Sequence, residues 1–232
     1  MPRPFAAGPV RAVLLDALGT LVELRPPAPR LRRRLAEAGF EVSEERAAAG
    51  IGAEIAYYLA NHLDGSDRDS LEGLRDRCAV AMMDALELPG LDHATARTAM
   101  MDALEFVPYA DVPPALRALR AAGHRLVVVS NWDCSLPDWL GPPGLLELLD
   151  GVVTSADVGR AKPDPEVFGR GLELAGVPAS EAVHVGDSVD NDLRGARAAG
   201  VRAVLLQRSG EPPPGVDSVR TLAEVPALLS GE

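Results

Sequence analysis

The chain has 232 residues, 47% of them hydrophobic, and a formal net charge of −11. This size and apolar content suffice for a buried core, in one large domain or two unequal ones. The chain is acidic and has no basic segment interspersed with aromatic residues, which excludes a typical nucleic-acid-binding protein. The apolar runs are far shorter than the ~20 residues that cross a bilayer, so we expect no membrane partner. The start lacks the apolar segment of a secretory signal, which favours a cytoplasmic location.

Five short runs of contiguous apolar residues are typical of strands that helices cover on both faces. They are 10–15, Arg125–Ser130, Gly151–Thr154, Ala182–Gly186 and Arg202–Leu206. Helical patterns such as "PDPEVFGRGLELAG" and "DNDLRGARAAG" separate the later runs, and each ends in a glycine suited to a left-handed C-terminal cap. Strand and helix therefore alternate, which predicts an α/β fold with a parallel sheet and helices on both faces.

The stretch from about residue 23 to residue 107 contains only helical patterns. Ser43 and Ser70 are predicted to be N-caps within it. Because the stretch is too long for a loop, we expect a small helical domain inserted after the first strand. The predicted division is a core of residues 1–22 and 108–232 and an inserted domain of residues 23–107.

Polar residues follow the predicted strands, and in a parallel α/β sheet ligands collect beyond these carboxyl ends. The residues are Asp16, Thr20, Ser130, Asn131, Lys162, Asp187, Asp190 and Asp192. Each one alone also fits the capping of a following helix. Carboxylates at positions 16, 187 and 192 would, however, repel one another at a shared edge unless a cation lay among them. Oxygen ligands of this kind suit Mg²⁺.

Lys162 is the only lysine among the 23 lysines and arginines of the chain. In the segment that follows it, Asp164 is a good N-cap and Pro165 a good first helical residue, so the helix start does not require a lysine. A compact ammonium and a planar guanidinium are not interchangeable in a tight site. The presence of a single lysine at this position therefore indicates a chemical role for Lys162 and not a structural one.

The segments "DALGTL", "VVVSN", "AKPDP" and "HVGDSVDND" resemble, in order, the four signature motifs of the haloacid dehalogenase-like superfamily of hydrolases. The helical insertion resembles the small cap of its subfamily I members. The resemblance implies a Rossmann-like core and an enzyme that acts on a small-molecule substrate, with Mg²⁺ as cofactor. It also implies a set of roles: Asp16 as nucleophile, Ser130 and Lys162 as catalytic partners, Thr20, Asn131 and Arg46 as substrate contacts, and Asp16, the Leu18 carbonyl, Asp187 and Asp192 as metal ligands.

Leu18 departs from the family pattern, because phosphatases of the family commonly have a second aspartate two residues after the nucleophile. That aspartate protonates the leaving group and then activates water, and leucine can do neither. Three hypotheses follow. The first is a Mg²⁺-dependent hydrolase of a small phosphorylated metabolite, with low efficiency or a preference for good leaving groups. The second is a 2-haloacid dehalogenase that uses Asp16 and is helped by Arg46. The third is a catalytically weak binding or regulatory homologue. The acids of the fourth motif, which dehalogenases lack, favour the first.

Overall fold

The computed structural model describes residues 9–230 of the chain. The chain forms two compact units, one from Met1–Glu23 with Pro108–Glu232 and the other from Leu24–Val107. Residues 1–8 and 231–232 of the predicted core lie outside the described residues. They include most of the N-terminal segment for which no secretory signal is expected. No helix within residues 9–230 is long and apolar enough to cross a membrane.

The first unit is built on a six-stranded sheet whose neighbouring strands all pair in parallel. The strands of the chain are β1 Ala12–Leu15, β2 Val22–Leu24, β3 Phe106–Pro108, β4 Arg125–Ser130, β5 Gly151–Thr154, β6 Ala182–Gly186, β7 Arg202–Leu206 and β8 Ser218–Val219. The large sheet has the order β5-β4-β1-β6-β7-β8, while β2 and β3 form a separate two-stranded sheet. The predicted α/β fold with a Rossmann-like parallel sheet is confirmed.

The five strands predicted from apolar runs are the five long strands of this sheet. All four residues of β1 are fully buried, as are the central residues of β4, because helices cover both faces. β1 begins at Ala12 and not at residue 10. The three strands that the sequence did not predict, β2, β3 and β8, have two or three residues each, too few to produce a recognisable pattern.

Ten α-helices lie in the described part of the chain: α1 Pro27–Glu37, α2 Glu44–Asn61, α3 Arg68–Leu86, α4 His93–Ala103, α5 Val112–Ala121, α6 Leu136–Leu140, α7 Ser155–Val158, α8 Pro165–Ala175, α9 Gly195–Ala198 and α10 Val225–Ser230. A π-helical turn, Val189–Arg194, precedes α9. Asp164 caps α8 through a hydrogen bond from the Glu166 amide, and Gly176 ends that helix with a left-handed φ of 67°, both as predicted.

The second unit contains α1 to α4, which agrees with the helical patterns of its sequence. Ser43 is the N-cap of α2, as predicted, and accepts a hydrogen bond from the Arg46 amide. The prediction for Ser70 is wrong, because the N-cap of α3 is Asp67. Ser70 is the third residue of that helix and forms a capping box, in which each side chain bonds the other residue's amide.

Candidate active site

The register of the three central strands brings the ends of the first, second and fourth motifs together. Leu15, the last residue of β1, lies opposite Val128 of β4 and Val185 of β6. Asp16 therefore lies next to the carboxyl ends of both neighbouring strands. Ser130 and Asp187 are each two residues beyond these partners, so they reach the same edge of the sheet.

Asp16 is buried and accepts two hydrogen bonds on one carboxylate oxygen. The Ser130 hydroxyl donates to Oδ1 over 3.0 Å, and the Lys162 ammonium donates to the same oxygen over 2.6 Å. Burial raises the pKa of the Asp16 carboxyl, and the positive charge of Lys162 opposes this shift. Both donors hold Oδ1, which fixes the orientation of the carboxylate, and neither of these two bonds uses Oδ2.

The backbone of Lys162 is held by Asn131. The Asn131 amide nitrogen donates to the Lys162 carbonyl over 3.0 Å, and the Lys162 backbone amide donates to the Asn131 side-chain oxygen over 2.6 Å. Asn131 was predicted to contact the substrate. In the structure, its amide group orients the loop that carries the lysine.

The ammonium of Lys162 bridges two carboxylates, since it also donates to Oδ1 of Asp192 over 2.6 Å. Lys162 and Asp192 are both almost completely buried. Burial alone would lower the pKa of Lys162, but the charges of Asp16 and Asp192 outweigh it and raise that pKa. A guanidinium could not place one compact charge between two oxygens in this way, which gives a physical reason for the single lysine.

Asp192 reaches the site through the wide turn between β6 and α9. Ser188 caps the turn by accepting a hydrogen bond from the Asn191 amide, and its own amide donates to Oδ2 of Asp192 over 2.9 Å. The turn is π-helical over Val189–Arg194, a geometry that is frequent at functional sites. It turns Asp192 back toward the strand end from which Asp187 also projects.

His184 of β6 also belongs to this network. It is fully buried and meets the Phe168 ring edge-on at 5.0 Å. Its Nε2 lies 2.9 Å from Oδ1 of Asp192, and because a carboxylate can only accept, Nε2 is the donor. Burial alone would raise the pKa of Asp192, but Lys162 and His184 together lower it well below its usual range. The only signal in the sequence is a histidine within an apolar strand.

Two glycines make room for the acids. A Cβ atom on Gly19 would lie 2.1 Å from an Asp187 carboxylate oxygen, and Gly19 has a left-handed φ of 81°. A Cβ atom on Gly186 would lie 2.2 Å from the Asp192 side chain. Both positions therefore require a residue without a side chain.

Oxygens of Asp16, Asp187 and Asp192 lie within 4.8 Å of one another. Asp187 is the most exposed of the three, and partial burial together with the charges of Asp16 and Asp192 raises its pKa to about 6. Three converging carboxylates face one ammonium, so the cluster has excess negative charge. An all-oxygen donor set with this charge fits a hard divalent cation such as Mg²⁺.

The other predicted site residues have individual environments. The Leu18 side chain is 43% exposed, whereas Thr20 is fully buried and its hydroxyl has no hydrogen-bond partner within residues 9–230. Arg46 lies in α2 of the second unit, where its guanidinium donates to the Glu87 carbonyl over 2.9 Å. Substrate contact by Thr20 and Arg46 stays a prediction.

Comparison with known proteins gives the family. A model of haloacid dehalogenase-like hydrolases matches residues 10–200, which contain all four motifs. The chain belongs to this family. It is 30% identical over 231 residues to a phosphoglycolate phosphatase of Cupriavidus necator, a match that covers 96% of this chain and 94% of that protein.

Other members of the family are similar over different lengths. Haloacid dehalogenase-like hydrolase domain-containing protein 3 of Danio rerio is 39% identical over 126 residues, and the chain spans about half of that relative, 52% of each protein. The crystal structure of a HAD phosphatase from Thermococcus onnurineus superposes with a TM-score of 0.66 and 26% identity, over 96% of this chain and 99% of that one.

Proposed function

We propose that the protein is a Mg²⁺-dependent phosphatase that hydrolyses a small phosphorylated metabolite through an aspartyl-phosphate on Asp16. The observation that carries this proposal is the environment of Asp16. Lys162 and Ser130 hold its Oδ1, and two further carboxylates lie within 4.8 Å. Phosphoryl transfer depends mostly on positioning and on neutralising charge, and this cluster provides for both.

The residues that would hold the cation are Asp16, Asp187, Asp192 and the backbone carbonyl of Leu18. When bound, Mg²⁺ supplies Lewis-acid charge that offsets the negative oxygens of a phosphoryl group. Asp187 is the best candidate for direct ligation. Its carboxylate is not tied to the lysine, whereas both oxygens of Asp192 already accept hydrogen bonds.

In the proposed reaction, Oδ2 of Asp16 attacks phosphorus, and the bond from phosphorus to the leaving oxygen breaks with its electron pair on that oxygen. Lys162 and Ser130 keep the carboxylate oriented, and the ammonium offsets charge on the transferring group. Water then attacks phosphorus, and the bond from phosphorus to Oδ2 breaks with its electron pair on Oδ2, which restores the Asp16 carboxylate. The proton that the water loses passes to the released phosphate, because Leu18 cannot accept it.

Leu18 limits which substrates react well. Loss of a general acid costs about 10²–10⁴ in rate when the leaving group must be protonated. Acyl phosphates, aryl phosphates and anhydrides release a stable anion, so the loss of the general acid slows their hydrolysis less. We therefore propose a narrower hydrolase than a general phosphatase of alkyl esters.

The phosphatase names of a long-matching relative and of a solved structure support this proposal over dehalogenation. The acidic pair of the fourth motif also supports it. A 2-haloacid substrate carries its own carboxylate, which Asp16 and the two acids beside it would repel.

A direct assay tests the proposal. Acetyl phosphate and p-nitrophenyl phosphate should be hydrolysed with Mg²⁺ and not with a chelator, and Asp16→Asn should abolish turnover. Asp190→Asn is the matched control, because Asp190 lies in the same acidic turn but is exposed and pairs with Arg194. Undiminished hydrolysis by Asp16→Asn would contradict the proposal. Metal-independent halide release from 2-chloropropionate would favour a dehalogenase, and tight binding of a phosphate ester without turnover would favour a binding homologue.

Leu18→Asp tests whether Leu18 sets the preference for good leaving groups, because it adds a carboxyl group at the position of the missing acid. We expect hydrolysis of an alkyl phosphate to rise by about 10²-fold, because proton donation matters most for an alkoxide. Hydrolysis of p-nitrophenyl phosphate should change much less. Equal effects on both substrates would show that Leu18 does not set the preference.

A further inference from the structure

Arg208 lies two residues after β7, outside all four motifs, and binds the loop that follows Asp16. Its Nε donates to the Gly19 carbonyl over 3.1 Å, and its Nη2 donates to the Thr20 carbonyl over 2.8 Å. These carbonyls belong to the third and fourth residues after Asp16. A side chain from a distant part of the sequence therefore fixes two consecutive peptide groups of the first motif.

The rest of the guanidinium is held equally firmly. Its Nη1 donates to both oxygens of Asp111, over 3.0 and 3.2 Å, and its Cζ lies 3.6 Å from the centre of the Tyr109 ring. Asp111 is itself held by the Leu222 amide, which donates to Oδ2 over 2.6 Å. Bonds from all three nitrogens to three different residues, together with stacking on an aromatic ring, use the planar fork that distinguishes arginine from lysine.

The loop needs such a constraint because of Gly19. Its φ of 81° is accessible to glycine, but glycine is also the residue with the most alternative backbone conformations. Within the loop, the Gly19 amide donates to the Val22 carbonyl over 2.8 Å. The hydrogen bonds from Arg208 fix the peptide groups on the other side of the same residue.

We propose that Arg208 is a positioning residue for the acidic cluster: by fixing the Gly19 and Thr20 carbonyls, it holds Gly19 against the carboxylate of Asp187. This inference rests on the proposed function. A Cβ on Gly19 would lie 2.1 Å from Oδ2 of Asp187, so this carboxylate packs directly on the Gly19 backbone, and a shift of the loop after loss of the clamp would move the surface that Asp187 packs on. Arg208 does not touch the reacting atoms and acts through the loop.

The test compares Arg208→Met with the matched variant Arg220→Met. Arg220 also donates to a backbone carbonyl, that of Gly210, and pairs with an exposed acid, Glu211, but neither has a role in the site. Mg²⁺ binding is measured by titration calorimetry without substrate, beside kcat and KM for p-nitrophenyl phosphate and thermal unfolding. We expect Arg208→Met to weaken Mg²⁺ binding by about tenfold, as removal of groups that orient metal ligands does. The KM at saturating Mg²⁺ should hardly change, and Arg220→Met should bind Mg²⁺ like the wild type.

A second variant keeps the inference testable where Arg208→Met fails to fold. Asp111→Asn keeps both carbonyl contacts but weakens the ion pair to the Arg208 Nη1, so it should weaken Mg²⁺ binding less. Wild-type Mg²⁺ affinity in folded Asp111→Asn would overturn the inference. Where Arg208→Met folds, the two effects should not add in the double variant, because both act through one guanidinium, and additive effects would overturn the inference.

The inference and the proposed function fail in different ways. Wild-type Mg²⁺ binding together with unchanged Mg²⁺ affinity in Arg208→Met, whatever the change in melting temperature, overturns the inference alone. Absence of Mg²⁺ binding by the wild type overturns both.

Discussion

Each unit of the protein buries ionisable side chains, and the two units deal with them in opposite ways. In the first unit, Asp16, Lys162 and Asp192 are buried together, and each charge is satisfied by another. In the second unit, Glu54 of α2 is only 5% exposed, and burial alone raises its pKa from 4.5 to about 7. The buried charges of the first unit are paired with one another, whereas burial of Glu54 in the second unit favours its neutral form.

The largest loss of stability and turnover should follow from breaking the paired cluster, which consists of Asp16, Lys162 and Asp192. Lys162→Met leaves two buried carboxylates facing each other, and loss of one partner of a buried ion pair costs about 3–5 kcal/mol. Turnover should fall by about 10²–10³-fold or more, the typical cost of removing one preorganised charged donor. Lys162→Arg should not restore it, because a planar fork does not fit between the two oxygens. Steady-state kinetics and urea unfolding of both variants check this, and full activity of Lys162→Arg would contradict our explanation of the single lysine.

Removing the unpaired acid, Glu54, should stabilise the folded protein, whereas Lys162→Met should destabilise it. The unfolded carboxyl titrates near 4.5 and the folded one near 7, so the protein loses stability as the pH rises through this window. Glu54→Gln cannot ionise and avoids the loss. At a pH of about 8 it should be more stable than the wild type by about 3 kcal/mol, and below pH 4.5 the difference should vanish.

Urea unfolding of both proteins across this pH range measures the effect. Glu41→Gln, which changes an exposed glutamate before α2, is the matched control and should be neutral throughout. A Glu54→Gln variant with the same pH profile as the wild type would show that Glu54 is not desolvated in solution.

His184 gives a smaller test of the paired cluster. His184→Leu removes a donor from Asp192 and should cost about 1–3 kcal/mol of stability. His184→Gln can place an amide donor near the position of Nε2 and should recover part of both stability and kcat. Thermal unfolding and kinetics of the two variants provide the comparison, and equal losses in both would assign His184 a packing role only.

Much of this arrangement could be predicted from the sequence because it depends on local pattern. Contiguous apolar residues predicted the five long strands, and parallel strands bring whatever follows them to one edge, which located Asp16, Ser130, Lys162, Asp187 and Asp192. The contacts that depend on three-dimensional packing could not be predicted. Arg208 meets the Gly19 carbonyl from 189 positions away in the sequence, and no spacing rule connects them.

Asn131 shows a second limit of the sequence. Its predicted substrate contact stays a prediction, whereas the bonds from both ends of its amide to the backbone of Lys162 could not be predicted. Position along a strand predicts which side chains meet at an edge. It does not predict how they divide the available hydrogen bonds.

In the proposed reaction, Asp16 carries the phosphoryl group between the two steps. Protein turning over radiolabelled acetyl phosphate with Mg²⁺ should, after an acid quench, retain label in the peptide that contains Asp16. The label should be released by hydroxylamine, as expected of an acyl phosphate, and should be absent from Asp16→Asn. Turnover without label on this peptide, or label that persists in Asp16→Asn, would contradict the account.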